Sequence, residues 1–203
     1  MKKYAVLHEP GDIVTLAGTR FVVLDVERRG SLPDSLFLLA LESVGASEFG
    51  SSNNYAESDL KKAVDKWLED MGKRGLDNAK LIPREIDLTT LDGSGCYGKL
   101  SVKAAPLTLD EAREYADIIP NAERWCWLAT GWSGPSKSDG DLALCVNSGG
   151  DWNYGGCSNS YGVRPALKAP SILFEDSEAG LDLSKIPTDD LLQEIHRRLA
   201  EKA

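Results

Sequence analysis

Gly162-Val163-Arg164-Pro165-Ala166-Leu167 is the segment on which the architecture of this chain depends. A proline biases the residue before it toward extended backbone, so Arg164 lies on strand-like chain rather than on a helix. Its guanidinium has a fork of N–H donors to place. A buried carboxylate or a set of backbone carbonyls is the expected acceptor, which makes Arg164 structural. The surrounding stretch, residues 125 to 167, differs in composition from everything before it. Trp125, Trp127, Trp132 and Trp152 fall there, with Tyr154 and Tyr161. From Leu142 to Val163 only Asp151 is charged, and Asn147, Ser148, Asn153, Ser158, Asn159 and Ser160 alternate with glycines. Rigid aromatics give contact area at low entropic cost and small polar residues give adaptable hydrogen bonds, the mixture used by antibody recognition loops. A Gly-rich hairpin set whose aromatics cover a core edge has the same composition, and both readings stay open on composition alone.

The N-terminal third reads as a β-meander. Ile13-Val14-Thr15-Leu16 and Phe21-Val22-Val23-Leu24-Asp25-Val26 flank Ala17-Gly18-Thr19-Arg20, a turn with glycine where positive φ is required. Leu36-Phe37-Leu38-Leu39-Ala40-Leu41 is continuously apolar, as expected of a strand covered on both faces. Two helices follow. Over residues 56 to 71, Leu60, Val64, Trp67, Leu68 and Met71 share one face. Asn54 with Glu57 resembles a capping box at its start, and Gly72 is the expected stop. Thr108 with Glu111 opens a second helix, with Leu107 and Ala112 as a hydrophobic staple. Its inward stripe is Ala112, Tyr115, Ala116 and Ile119, and Pro120 marks its end. Residues 72 to 106, punctuated by Pro83, Gly93, Gly95 and Gly98, read as loop with short extended pieces. Trp125 and Trp127 are spaced to face one side of a strand and are assigned to the core.

Composition removes several function classes. The 203 residues suffice for a sizeable core without staples. Lys+Arg of 23 against Asp+Glu of 32 gives a net charge of −9, with no basic run, which argues against nucleic acid or an anionic membrane as partner. No apolar run approaches the roughly 20 residues of a membrane span, and the first residues are too briefly apolar for a signal peptide. Synthesis in a cytoplasm is the expectation. Cys96, Cys126, Cys145 and Cys157 form no Cys-x-x-Cys pair, and His8 and His196 are the only imidazoles. A zinc quartet or a histidine-based hydrolase has poor material here. Beyond Pro170 an acidic, loop-like stretch (170–186) is expected to lead into an amphipathic helix over 187–203, with Leu191, Leu192, Ile195 and Leu199 as its stripe. A helix of that length is marginal alone, so it should dock on the domain, on a copy of itself or on a partner.

Four pieces occur together in one known group of proteins. They are Asn53-Asn54-Tyr55-Ala56-Glu57-Ser58-Asp59-Leu60 ahead of a helix with Trp67-Leu68, then Trp125-Cys126-Trp127-Leu128. Ala143-Leu144-Cys145-Val146-Asn147-Ser148-Gly149-Gly150 and Gly162-Val163-Arg164-Pro165-Ala166-Leu167 complete the set. In order and spacing they resemble a family of bacterial, prophage and phage proteins of C-type lectin-like fold, related to the variable proteins of diversity-generating retroelements. The resemblance covers roughly residues 11 to 167. It implies an α+β domain over 1–169, with small antiparallel sheets flanked by two helices and a long Gly/Trp/Asn-rich binding region.

The resemblance implies a non-enzymatic receptor- or adhesin-type domain that binds a cell-surface protein or glycan through residues 131–161. Trp132, Asp139, Asp141, Asn147, Trp152, Asn153, Tyr154, Ser158, Asn159 and Tyr161 are the candidate ligand-binding residues, with no cofactor and no metal. Asn147, Ser148, Asn153, Tyr154, Cys157, Ser158, Asn159, Ser160 and Tyr161 are compatible with adenine-directed rewriting of Asn codons, whereas Trp152 is not. Residues 168 to 203 continue past the point at which such variable regions usually finish. In the receptor- or adhesin-type reading the terminal helix attaches the domain to a virion-like particle or makes a homo-oligomer, so that weak sites gain avidity. A structural or accessory phage protein, joined to an assembly by the acidic linker and terminal helix, is the first alternative. The same fold also occurs in formylglycine-generating oxidases, which use a cysteine pair with copper. Cys145 and Cys157 would be that pair, but the segment around them departs from the oxidase motif. Calcium ligands could be drawn from Asp139, Asp141 and Asp151, though their spacing does not demand it.

Overall fold

A computed structural model describes residues 8–29 and 32–174, together with Thr188 and Leu192. Strands β1 (Ile13–Leu16), β2 (Thr19–Arg29) and β3 (Leu32–Ala40) are the expected meander, with β2 and β3 longer than the apolar runs alone suggest. Ala17 (φ 46°) and Gly18 (φ 75°) both take positive φ in the β1–β2 turn, so the left-handed requirement extends to the residue before the glycine. Such a turn matches the twist of its strands.

Next come β4 (Ala46–Glu48), helix α1 (Asp59–Lys73), β5 (Arg84–Asp87), β6 (Lys99–Val102), β7 (Ala104–Ala105) and helix α2 (Leu109–Glu114). Strands β8 (Cys126–Gly131), β9 (Leu142–Val146), β10 (Trp152–Gly156), β11 (Ser160–Gly162) and β12 (Ala166–Pro170) complete the domain. It is an α+β arrangement of small, mostly antiparallel sheets with two helices. One sheet has the order β1-β2-β3-β12-β7, a second β10-β9-β8-β11-β4, and β5 with β6 forms a hairpin. Among the described residues only the β11–β8 pairing is parallel.

The Arg164 segment matters because it delivers β12 between β3 and β7, with Leu167 opposite Leu38 and Ala166 opposite Leu39. Arg164 is buried, and its donors go to carbonyls: Nε to Ala40 (2.8 Å), Nη1 to Pro120 (2.9 Å) and Nη2 to Leu41 (3.1 Å). The guanidinium therefore ties the end of β3 to the segment after α2.

Alternation along β3 fills both sides of the sheet. Leu36, Leu38 and Ala40 enter one cluster with Phe21, Trp67, Met71 and Trp127, while Leu39 enters a second with Leu109, Leu128 and Leu144. Each such buried aliphatic side chain contributes roughly 2 kcal/mol. Helix α1 covers the first cluster through Leu60, Val64, Trp67 and Met71, and α2 covers the second through Leu109 and Ala112.

The helix ends differ in detail from the sequence expectation. Asn54 caps a separate 3₁₀ turn, Tyr55–Glu57, by accepting from the Ala56 N–H. Ser58 is the N-cap of α1, accepting from the Lys61 N–H at 2.9 Å. Two capping residues in tandem thus start two elements where one was expected. The stop is Gly75 rather than Gly72. Gly75 has φ 102° and bonds back to the Gly72 carbonyl, and Leu76 bonds to that of Met71, a Schellman termination with Leu76 and Met71 both buried. The Thr108–Glu111 capping box forms as expected. Helix α2 nevertheless ends at Glu114, because the next bonds shorten to three-residue spacing, Ala116 to Arg113 and Ile118 to Tyr115.

Residues 171–174, at the start of the expected linker, form a 3₁₀ turn whose Phe174 is buried beside His8, ring centroids 5.9 Å apart. Thr188 and Leu192 are helical, and the remainder of the expected 175–186 linker and 187–203 helix lies outside the described residues. Among the described residues no helix is long and apolar enough to cross a membrane.

Candidate functional site

Strand β10 is an edge of the second sheet, and its position follows from the turn that precedes it. Asn147 Oδ1 accepts from the N–H groups of Gly149 (2.8 Å) and Asp151 (3.0 Å), while its Nδ2 donates to Asp151 Oδ2 (3.0 Å). Gly150 sits at φ 89°. This is side-chain-directed turn chemistry, and it occupies Asn147 and Asp151 with shaping the backbone. The turn sets Trp152 opposite Val146 and Tyr154 opposite Leu144.

Strand alternation then places Trp152 and Tyr154 on the face that carries Leu144 and the second cluster. At the sheet edge they run beyond that cluster, leaving Trp152 44% and Tyr154 48% exposed. Trp132, half-buried just after β8, packs its ring 4.5 Å from that of Tyr154. From α2, the Arg113 guanidinium lies over the Trp152 ring at 5.2 Å, a cation–π arrangement. Trp132, Tyr154, Trp152 and Arg113 are thus drawn into one partly exposed strip.

The other expected residues fall elsewhere. Tyr161, half-buried, packs on the opposite face against Trp127 (4.5 Å) and Trp125 (5.5 Å). Gly155 makes room for it, since a Cβ there would stand 2.7 Å from the Tyr161 ring. Asn159 Nδ2 donates to the Tyr161 hydroxyl (3.1 Å), and Asn153 Oδ1 accepts from the Tyr154 N–H (2.8 Å). Ser158 is exposed in the β10–β11 turn, and Asp139 and Asp141 are exposed at the end of the 133–141 loop. The ten residues therefore do not form one continuous face. Trp127 is wholly buried, with Nε1 donating to the Ser47 carbonyl (2.9 Å), whereas Trp125 is only half-buried beside the start of β8.

Sequence reasoning missed the groups that hold this region in place. Buried Asn53 donates through Nδ2 to the carbonyls of Ser133 and Leu142, both at 2.9 Å, and accepts at Oδ1 from the Tyr97 hydroxyl at 2.6 Å. It clamps both ends of the 133–141 loop, and Gly131 is small because a Cβ there would meet Asn53 at 2.9 Å. Asn53 stood within a quoted motif, but nothing local in the sequence connected it to residues 133 and 142. Arg113 carried no signal either.

Burial pushes the thiols of Cys145 and Cys157 up to about 12 and raises that of Cys126. Thiols held in the protonated form are poor nucleophiles and poor metal ligands. Among the described residues no group of three or more His, Cys, Asp or Glu side chains is positioned to hold a metal ion. Comparison with family models, with curated proteins and with solved structures finds no match for the chain.

Proposed function

We propose that this chain is a non-enzymatic ligand-binding domain of C-type lectin-like fold, of the kind found in phage, prophage and retroelement-diversified proteins. It binds a cell-surface protein or glycan through the strip formed by Trp132, Trp152 and Tyr154. The observation that carries this reading is the half-exposure of Trp152 and Tyr154 on an edge strand held by its ladder to β9 and by the bonded turn between the two strands. A rigid scaffold that holds large aromatics in solvent gives anchors with little entropy left to lose on binding. Asn153, Ser158 and Asn159 supply polar groups at the margins. Support for the family comes from the four spaced motifs and from β12 closing the first sheet against β3.

Labelled full-length chain applied to bacterial cells and to a glycan array tests the reading. Binding is expected, and the double variant Trp152→Ala/Tyr154→Ala should abolish it with a nearly unchanged melting temperature. Equal binding by the double variant, or no binding to either target by the parent chain, would overturn the proposal. Searching the surrounding DNA for a near-copy of the segment encoding residues 125 to 167, beside a reverse transcriptase, separately decides whether the domain is diversified.

A further inference from the structure

Below the exposed strip, an apolar cavity of about 100 Å³ lies between the segment after α2 and the second sheet. Ala112, Ile119, Leu128 and Val146 supply its apolar wall, and Trp152 and Gly150 carry it to the surface. Its one formally charged lining residue is Arg164. Each of the three nitrogens of that guanidinium makes one bond to a carbonyl, so one N–H remains on each terminal nitrogen. No carboxylate among the described residues lies within ion-pair distance of it, and burial lowers its pKa. A buried cation without a counter-ion is costly, and an anion entering from outside would relieve that cost.

We propose that this cavity binds a small carboxylic acid with a compact apolar body, its carboxylate on Arg164 and its hydrocarbon against Leu128, Ile119 and Val146. Size and charge together select this class. A dry cavity of about 150 Å³ accepts benzene, so the smaller space here suits a body of about four or five carbons. A neutral apolar molecule would leave the guanidinium uncompensated, and an inorganic anion would leave the apolar wall unfilled. Planar guanidinium also favours carboxylate geometry over a point acceptor. The inference does not need the aromatic strip to bind a macromolecule.

The test is a titration of the full-length chain with 3-methylbutanoate and, separately, with 3-methylbutanamide, followed by NMR. The acid should give saturable shifts at the Arg164 side chain, the Val146 amide and the Trp152 indole, with the isosteric amide at least about tenfold weaker. Val146→Phe fills the cavity from a half-exposed position and should weaken the acid by about tenfold or more without disturbing the rest of the spectrum. Equal affinities for acid and amide would overturn the proposal, as would shifts confined to surface lysines or no saturation below ~50 mM acid. The acid–amide comparison uses the unaltered chain and decides the matter even if the variant fails to fold.

Discussion

Strands β3 and β10 are both antiparallel members of five-stranded sheets, but they use their side chains in opposite ways. β3 is flanked by β2 and β12 and sends alternate residues into two cores, so that Leu36, Leu38, Leu39 and Ala40 are all buried. β10 is an edge strand. Its Gly155 accepts the Tyr161 ring on one face, while Trp152 and Tyr154 stand about half in solvent on the other. An internal strand spends side-chain volume on packing, and here the edge strand keeps its largest side chains outside it. Display at β10 is possible because its backbone is held by the ladder to β9, which the Asn147-bonded turn leads into.

If that division holds, stability should respond steeply to β3 and weakly to β10. Leu38→Ala removes a fully buried side chain from close packing and should cost about 3 kcal/mol in urea denaturation. A loss below about 1 kcal/mol would mean that the first sheet collapses around the cavity and is less tightly specified than its burial implies. Arg164→Met comes next. It keeps much of the volume but strands the carbonyls of Ala40, Leu41 and Pro120, at a cost of about 2 kcal/mol. Arg164→Lys should recover only part of this, since a single ammonium cannot span the fork.

The tyrosines at 154 and 161 give the comparison its sharpest form, because they differ by environment and not by chemistry. Tyr161→Ala opens a gap against Trp125 and Trp127 and should cost about 1.5 kcal/mol. Tyr154→Ala removes a half-exposed ring and should stay within about 0.5 kcal/mol, measured in the same denaturation series. Equal costs would place both residues in the packing shell and weaken the case for a binding strip.

The same contrast explains what could be read from the chain. The meander, the α1 stripe and the Thr108–Glu111 box were legible because each is specified by residues within one or two turns of each other. The two-sided burial of β3 was legible from its unbroken apolar run. The division of Tyr154 from Tyr161 was not. It arises from β10 pairing with β9 while β11 crosses to lie between β8 and β4, and neither pairing leaves a local trace. Asn54 and Ser58 show the opposite limit. Both have capping chemistry, and only the 3₁₀ turn between them distinguishes the false start from the true one. Arg164 was readable as a buried structural cation, while the choice of carbonyls over a carboxylate required the end of β3 and Pro120 to arrive together.

The smallest effect concerns the loop that flanks the aromatic strip. Asp92 accepts from Lys137 Nζ (2.6 Å) and from the Thr90 hydroxyl, joining the 90–94 turn to the 133–141 loop. The Lys137 hydrogen bond, aided by that of Thr90, lowers the Asp92 pKa to about 2. A carboxyl whose folded pKa lies below its unfolded value contributes stability that is complete above the unfolded value. That contribution fades as pH falls from about 4 through about 2. Asp92→Asn should therefore leave the urea midpoint at neutral pH slightly reduced, and should make its decline between about pH 5 and about pH 2 shallower than in the parent chain. Parallel pH profiles would show that the Asp92–Lys137 contact contributes nothing to stability, and the 133–141 loop would then rest on the Asn53 clamp and on backbone bonds such as Cys157 N–H to the Asp141 carbonyl. Since Trp132 stands at the start of that loop, the profile also reports whether the Asp92–Lys137 contact helps to brace the strip.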